Sequence, residues 1–178
     1  MHLHCIWSIR DCLTERTAAA LVVTLVLSHL DYCNSLLTVT TKSQLQRLQR
    51  LQNSASRVVK RLPRWTRTTP VLIDLHWLPV HQRIEHKILS IVFKCHTGTA
   101  PTYLSDLLKP HNPTRTLRSA SKKLLTVPQT RLRTFGDCSF NVVGPRLWNR
   151  LPENLRASPS LATFKTGLKT FLFRVVAP

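Results

Sequence analysis

The stretch Thr41-Lys42-Ser43-Gln44-Leu45-Gln46-Arg47-Leu48-Gln49-Arg50-Leu51-Gln52-Asn53-Ser54-Ala55-Ser56-Arg57-Val58-Val59-Lys60-Arg61-Leu62 reads as one helix with two faces. At 100° per residue, Leu45, Leu48, Leu51, Ala55, Val58, Val59 and Leu62 fall in an arc of about 140°. Arg47, Arg50, Arg57 and Arg61 fall on the opposite arc around Ser54. Pro63 ends the helix, since its ring carries no N–H and clashes with the preceding turn.

No acidic residue occurs between Asp31 and Asp74, whereas Lys42, Arg47, Arg50, Arg57, Lys60, Arg61, Arg64 and Arg67 all do. A helix face that is merely solvated usually mixes signs at i,i+4 spacing. A row of arginines without carboxylates suits phosphate instead. The planar guanidinium donates two parallel hydrogen bonds and does not lose its charge. An ordinary charged surface, or a helix docked in a partner's groove, is the competing reading.

The whole chain leans the same way. Of 178 residues, 26 are Lys or Arg and 8 are Asp or Glu, a net charge of +18. Such a balance favours a polyanion, with a membrane surface as its main competitor. Thirteen of the cations lie in residues 1–108 and thirteen in residues 109–178, so this is not a basic tail on a neutral domain. Hydrophobic content of 43% supports a packed core and argues against wholesale disorder. With only four glycines there are few sites for left-handed turns or phosphate-cradling loops. The fold class expected is therefore mainly α.

The apolar run from Ala18 to Leu27 is too short to cross a bilayer and lacks the placement of a signal peptide. An intracellular protein, nuclear or cytoplasmic, with reduced thiols is expected. Cys5, Cys12, Cys33, Cys95 and Cys138 are odd in number and never spaced C-x-x-C, which argues for buried structural thiols and against a disulfide framework or zinc.

Outward from the central helix, residues 1–12 alternate (His2, Cys5, Trp7, Ile9) without a cap. Thr14 caps a helix from about Glu15 to Leu37, with an inward stripe of Leu21, Leu25, Ser28 and Tyr32. Beyond Pro63, Arg64-Trp65-Thr66-Arg67 interleaves a ring with cations. Trp65 either stacks on an unpaired base or plugs the helix pair. Thr69-Pro70 opens a short helix. Pro79 then starts a longer one, stopped by Gly98, with a core stripe of Val80, Ile84, Ile88, Ile91 and Cys95. Arg83, Lys87 and Lys94 form a second basic row on it.

Pro101 to Leu108 is a short helix with Tyr103, Leu104, Leu107 and Leu108 inward. Residues 109–116 have loop composition, which sets a boundary between regions 1–108 and 109–178. A second window without acids, from Asp106 to Asp137, contains Lys109, Arg115, Arg118, Lys122, Lys123, Arg131 and Arg133. Leu124–Val127 can pair with Thr130–Phe135 as a short β-hairpin. Asp137 caps a segment through Val143, Gly144-Pro145 breaks it, and a turn with Leu147, Trp148 and Leu151 follows. Ser158-Pro159 starts a last helix striped by Leu161, Phe164, Leu168, Phe171 and Val175, with Lys165 and Lys169 outside.

Catalytic motifs are missing. The eight acids are scattered, with no pair closer than four residues, whereas two-metal phosphoryl chemistry needs clustered carboxylates. Neither a G-x-S-x-G elbow nor a G-x-x-x-x-G-K-[ST] loop occurs. No catalytic residue, metal site or cofactor is expected.

Several ordered blocks carry a family resemblance. They are Leu30-Asp31-Tyr32-Cys33-Asn34-Ser35-Leu36-Leu37, Leu45-Gln46-Arg47-Leu48-Gln49-Arg50-Leu51-Gln52-Asn53 and Leu75-His76-Trp77-Leu78-Pro79-Val80. Further on come Ala100-Pro101-Thr102-Tyr103-Leu104-Ser105-Asp106-Leu107-Leu108, Phe135-Gly136-Asp137, Pro145-Arg146-Leu147-Trp148-Asn149, Leu151-Pro152, and Ser158-Pro159-Ser160-Leu161 with Phe164-Lys165. Across essentially its whole length the chain resembles the part of LINE-type, jockey-like non-LTR retrotransposon reverse transcriptases that lies downstream of the polymerase core. The resemblance implies a helical thumb-like bundle followed by a small α-rich C-terminal region. It also implies that the palm and its metal-binding aspartates belong upstream of the Leu-Asp-Tyr-Cys-Asn block. It carries over no catalytic residue. The Cys/His knuckle of some relatives is absent.

The reading that follows is a non-catalytic fragment binding RNA or DNA backbone, such as a template–primer-like duplex, without sequence preference. Its expected contacts are Arg47, Arg50, Arg57, Arg61, Arg64, Trp65 and Arg67, with Arg83, Lys87 and Lys94 secondary. One alternative is a basic helical module for an acidic protein or anionic lipid. Another is a relic reading frame without a selected role.

Overall fold

The computed structural model describes residues 2–111, 123–131 and 136–176. Among them the chain is mainly helical, as its glycine-poor composition predicts. The helices are α1 (His2–Ser8), α2 (Glu15–Val22), α3 (Ser28–Asp31), α4 (Lys42–Lys60), α5 (Thr69–Asp74), α6 (Val80–His96), α7 (Thr102–Ser105), α8 (Phe140–Asn149), α9 (Glu153–Arg156) and α10 (Leu161–Val176). The chain forms two compact units, Met1–Arg83 with Phe173–Pro178, and Ile84–Leu172. The division falls inside α6, and not at 108/109.

In the first unit, α4 begins with a reciprocal cap. The Gln44 N–H donates to Thr41 Oγ1 at 3.4 Å and the Thr41 N–H to Gln44 Oε1 at 3.2 Å. It ends at Arg61, a left-handed residue with φ 52°. There the Leu62 N–H closes onto the Arg57 carbonyl at 3.0 Å, a Schellman-type stop made without glycine.

The buried face of α4 is turned by about 50° from the arc the leucines suggest. Gln52, Ala55, Ser56 and Val59 are fully buried, while Leu51 stays exposed. The cause is a polar ladder. Gln52 Nε2 donates to the Leu78 carbonyl (2.9 Å) and its Oε1 accepts from Gln49 Nε2 (3.1 Å); Gln49 Oε1 in turn takes the Val80 N–H (2.9 Å). Two of these hydrogen bonds tie α4 to the start of α6 and the third links the two glutamines within α4; satisfied amides cost far less to bury than orphaned ones.

Against this face pack Ile6, Val22, Val26, Leu27, Leu30, Leu72 and Trp77, a single apolar cluster. The expected stripe of Leu21, Leu25, Ser28 and Tyr32 does not as a whole face the core: Tyr32 is 80% exposed and Leu25 also lies outside. Ala18, Val22, Val26 and Leu30, spaced by four, face inward, with Leu27 beside them. In an unbroken α-helix that spacing drifts about 40° per step. The π-helical turn Val23–Leu27 absorbs the drift and keeps all four on the core. The helix stops at Tyr32, well before Leu37, and Asn34–Val39 forms a 3₁₀ segment.

In the second unit, Phe93 stacks on Phe164 with centroids 4.4 Å apart, and Trp148 lies 5.8 Å from Phe164. Gly98 (φ 67°) stops α6 as expected. Gly144-Pro145 does not break α8. Pro145 sits inside the helix, and Gly144 lets α8 approach Val92, whose Cγ2 would lie 3.1 Å from an added Cβ. The Leu108 side chain meets the same position, so residues up to 108 pack with the later helices. Of the predicted inward set on α7, Tyr103 and Leu107 are exposed.

Ser160, not Ser158, caps α10, accepting from the Thr163 N–H at 3.2 Å. Leu125 pairs with Pro110 in an isolated antiparallel bridge, flanked by His111 N–H to Leu124 O (2.9 Å) and Thr126 N–H to Lys109 O (2.8 Å). The Asn149 amide clasps the Leu125 backbone on both its N–H and C=O. Most of the expected second hairpin arm, 132–135, lies outside the described residues, as do Arg115, Arg118, Lys122 and Arg133.

Candidate nucleic-acid interface

The outer face of α4 sits opposite its buried amides and apolar residues, so the helix itself aims Arg47, Arg50, Ser54 and Arg57 away from the core. Arg47 and Arg50 are exposed, and no carboxylate among the described residues pairs with them. Arg57 is partly covered. Its Nε and Nη2 both donate to the Thr66 carbonyl, at 3.3 and 3.1 Å, which leaves Nη1 without a partner among the described residues. From Arg47 to Arg57 the helix rises about 15 Å, close to four axial steps of one nucleic-acid strand.

Two predicted contacts are not free. Arg61 Nη2 donates to the Arg10 carbonyl at 2.8 Å and lies 3.7 Å from Asp11 Oδ1. Arg83 Nη1 meets Asp31 Oδ2 at 2.7 Å while its Nε donates to the Leu78 carbonyl at 2.8 Å. Arg83 is thus a partly buried strut, and the second basic row loses its first member. Lys87 stays exposed and Lys94 half-buried, neither with a carboxylate partner among the described residues.

Lys60 is neutralised as well. Its Nζ sits 2.5 Å from both Glu15 Oε1 and Asp74 Oδ2. Hydrogen bonds to Asp74 and then Glu15 hold the ammonium above its ordinary 10.5, and the same bond to Lys60 holds Asp74 below its ordinary 3.8. Charge balance absent from the local sequence is supplied by carboxylates from other helices.

Arg64, Trp65 and Arg67 lie exposed in the loop after α4. Trp65 is 86% exposed, so it does not plug the helix pair. Together with Trp7, Leu3 and His4 of α1, and with Arg57, Val58 and Leu62, Arg64 and Trp65 line an open cleft of about 800 Å³. Trp7 was missed from sequence because nothing local ties residues 1–12 to α4. The link is Arg10, a buried cation whose role only the fold reveals.

Cys5, Cys12 and Cys33 are exposed free thiols, contrary to the expectation of burial, because α1, the 3₁₀ turn Arg10–Cys12 and the Cys33 turn present them outward. No group of three or more His, Cys, Asp or Glu residues able to hold a metal ion is found among the described residues. No helix among them is long and apolar enough to cross a membrane. No family model, curated protein or solved structure matches the chain.

Proposed function

We propose that this chain binds the backbone of RNA or DNA without sequence preference, as a non-catalytic, thumb-like part of an intracellular LINE-type reverse transcriptase. The observation that supports it best is the exposed pair Arg47 and Arg50 on α4, without a carboxylate partner among the described residues and continued by Arg57, Arg64 and Arg67. With Arg61 engaged by the Arg10 carbonyl and Asp11, and Arg83 by Asp31, the expected footprint is about three to four phosphates. Duplex affinity should then fall with salt at a log–log slope of about −3 to −4.

The test is duplex binding by wild type and by an Arg47→Glu/Arg50→Glu double variant. Both side chains point to solvent, so thermal stability should be unchanged while affinity drops at least tenfold and the slope shrinks by about two. Unchanged affinity in a folded variant overturns the assignment.

The exposed Leu51 beside the arginines favours the second reading, a basic amphipathic helix docking on an acidic protein. That reading requires binding which excess duplex does not compete away.

A further inference from the structure

The cleft between α1 and the C-terminal half of α4 has a composition that backbone binding alone does not call for. Of four tryptophans in the chain, Trp77 and Trp148 are buried, whereas Trp7 (53% exposed) and Trp65 both line this cleft. Its remaining walls include Leu3, Val58 and Leu62. Among the described residues its charged linings are Arg57 and Arg64, and none is a carboxylate. An apolar cleft walled by indole rings and edged by cations complements a planar apolar group carrying negative charge.

We infer that this cleft takes an unpaired base of single-stranded nucleic acid, stacked on Trp65 and Trp7, with its phosphate at Arg57 and Arg64. The inference rests on the nucleic-acid reading and deepens it. A volume of about 800 Å³ is ample for a base with its sugar. A base within a duplex cannot enter a cleft, whereas a splayed base offers a free π-face to an indole.

The loop is organised beforehand. The Thr66 N–H closes the 63–66 turn on the Pro63 carbonyl at 3.1 Å. The two bonds from Arg57 to the Thr66 carbonyl pin that turn to α4, which holds Arg64 and Trp65 at the mouth. Arg57 therefore fixes the loop with one edge of its guanidinium and keeps Nη1 for an anion.

The experiment titrates the full chain with an oligo(dT) strand, a blunt duplex of equal phosphate number and an abasic strand, following tryptophan fluorescence and affinity. Oligo(dT) should quench the emission; the duplex and the abasic strand should not. Trp65→Ala, a change at an exposed position, should weaken oligo(dT) binding at least fivefold and leave duplex affinity within twofold. Trp7→Ala should act in the same direction.

Equal loss on strand and duplex, or no loss on either, would overturn the base site while leaving backbone binding through Arg47 and Arg50 intact. Equal quenching by poly-glutamate would assign the cleft to an acidic peptide and overturn the inference too. Absence of all nucleic-acid binding sinks both readings, and the Arg47→Glu/Arg50→Glu pair separates that case.

Discussion

Arg10 and Arg61 hold each other's backbone neighbourhood. The Arg10 guanidinium donates to the carbonyls of Val58 (3.0 Å), Val59 (2.6 Å) and Leu13 (2.6 Å), and Arg61 returns a bond to the Arg10 carbonyl. A cation at a helix C-terminus meets the negative end of the helix dipole, and α4 leaves its last carbonyls without helical partners. Arg10 is only 5% exposed, so its contribution is little diluted by solvent. Arg10→Ala should lower unfolding free energy by about 2–4 kcal/mol, measured by urea denaturation. A loss below about 1 kcal/mol would mean that water replaces the clasp.

Gln52 invites a paired comparison. Gln52→Ala removes both hydrogen bonds and leaves a cavity, and should cost about 2–4 kcal/mol. Gln52→Leu refills the volume, while the Leu78 carbonyl keeps its bond from Arg83 and Gln49 Nε2 keeps Asn53. The leucine variant should therefore lose about half as much. Equal losses would show that shape is irrelevant at this position.

Lys60 sets a pH window. Asp74 titrates below its ordinary 3.8 in the fold, so its contribution is complete above 3.8 and fades as pH falls through the depressed value. Lys60 titrates above 10.5, so its contribution is complete below 10.5 and fades as pH rises through the raised value. The melting temperature of wild type should exceed that of Lys60→Met near neutrality, and the gap should close toward both extremes. Solvent exposure keeps the gap small. A gap that persists at pH 2 would assign it to packing of the lysine stem.

Arg83 and Arg50 should separate cleanly. Removing Arg83 leaves Asp31 without its ion pair and the Leu78 carbonyl with Gln52 alone, so Arg83→Ala should destabilise by about 1–2 kcal/mol. Duplex affinity should hardly change. Arg50→Ala should do the opposite, weakening duplex binding with an unchanged melting temperature. Thermal melts and salt-dependent titrations on the two variants read both effects.

Gly144 tests the second unit. Alanine usually favours a helix over glycine by about 1 kcal/mol. Here its Cβ would press on Val92, which is fully buried and cannot retreat. Overpacking should win, and Gly144→Ala should lose about 1 kcal/mol net. A stabilised variant would mean that α8 shifts at little cost.

Local signals in the sequence carried far. The course of α4 follows from periodicity, although the left-handed Arg61 ends it two residues before Pro63; Thr14 caps α2; Thr69-Pro70 opens α5; Gly98 stops α6. The Thr41-x-x-Gln44 signature is also local, and it forms the reciprocal cap. These features depend on residues within one or two turns of each other. The Pro145 reading failed because burial of Gly144 against Val92 outweighs one lost ladder bond. The α2 stripe failed because periodicity assumes a uniform helix, and the π turn changes the residues per turn.

What the amino-acid order determined by itself is the helical class, the starts of α2, α4, α5 and α6 with the stop of α6, and a surplus of cations on one side of α4. Only the tertiary structure decided which cations stay available. Asp11, Glu15 and Asp74 approach Arg61 and Lys60 from other elements, Asp31 takes Arg83, and Arg47 with Arg50 are left to solvent. The reason is range. Capping and periodicity act between neighbours along the chain, while ion pairing acts through space between residues as distant as Asp31 and Arg83.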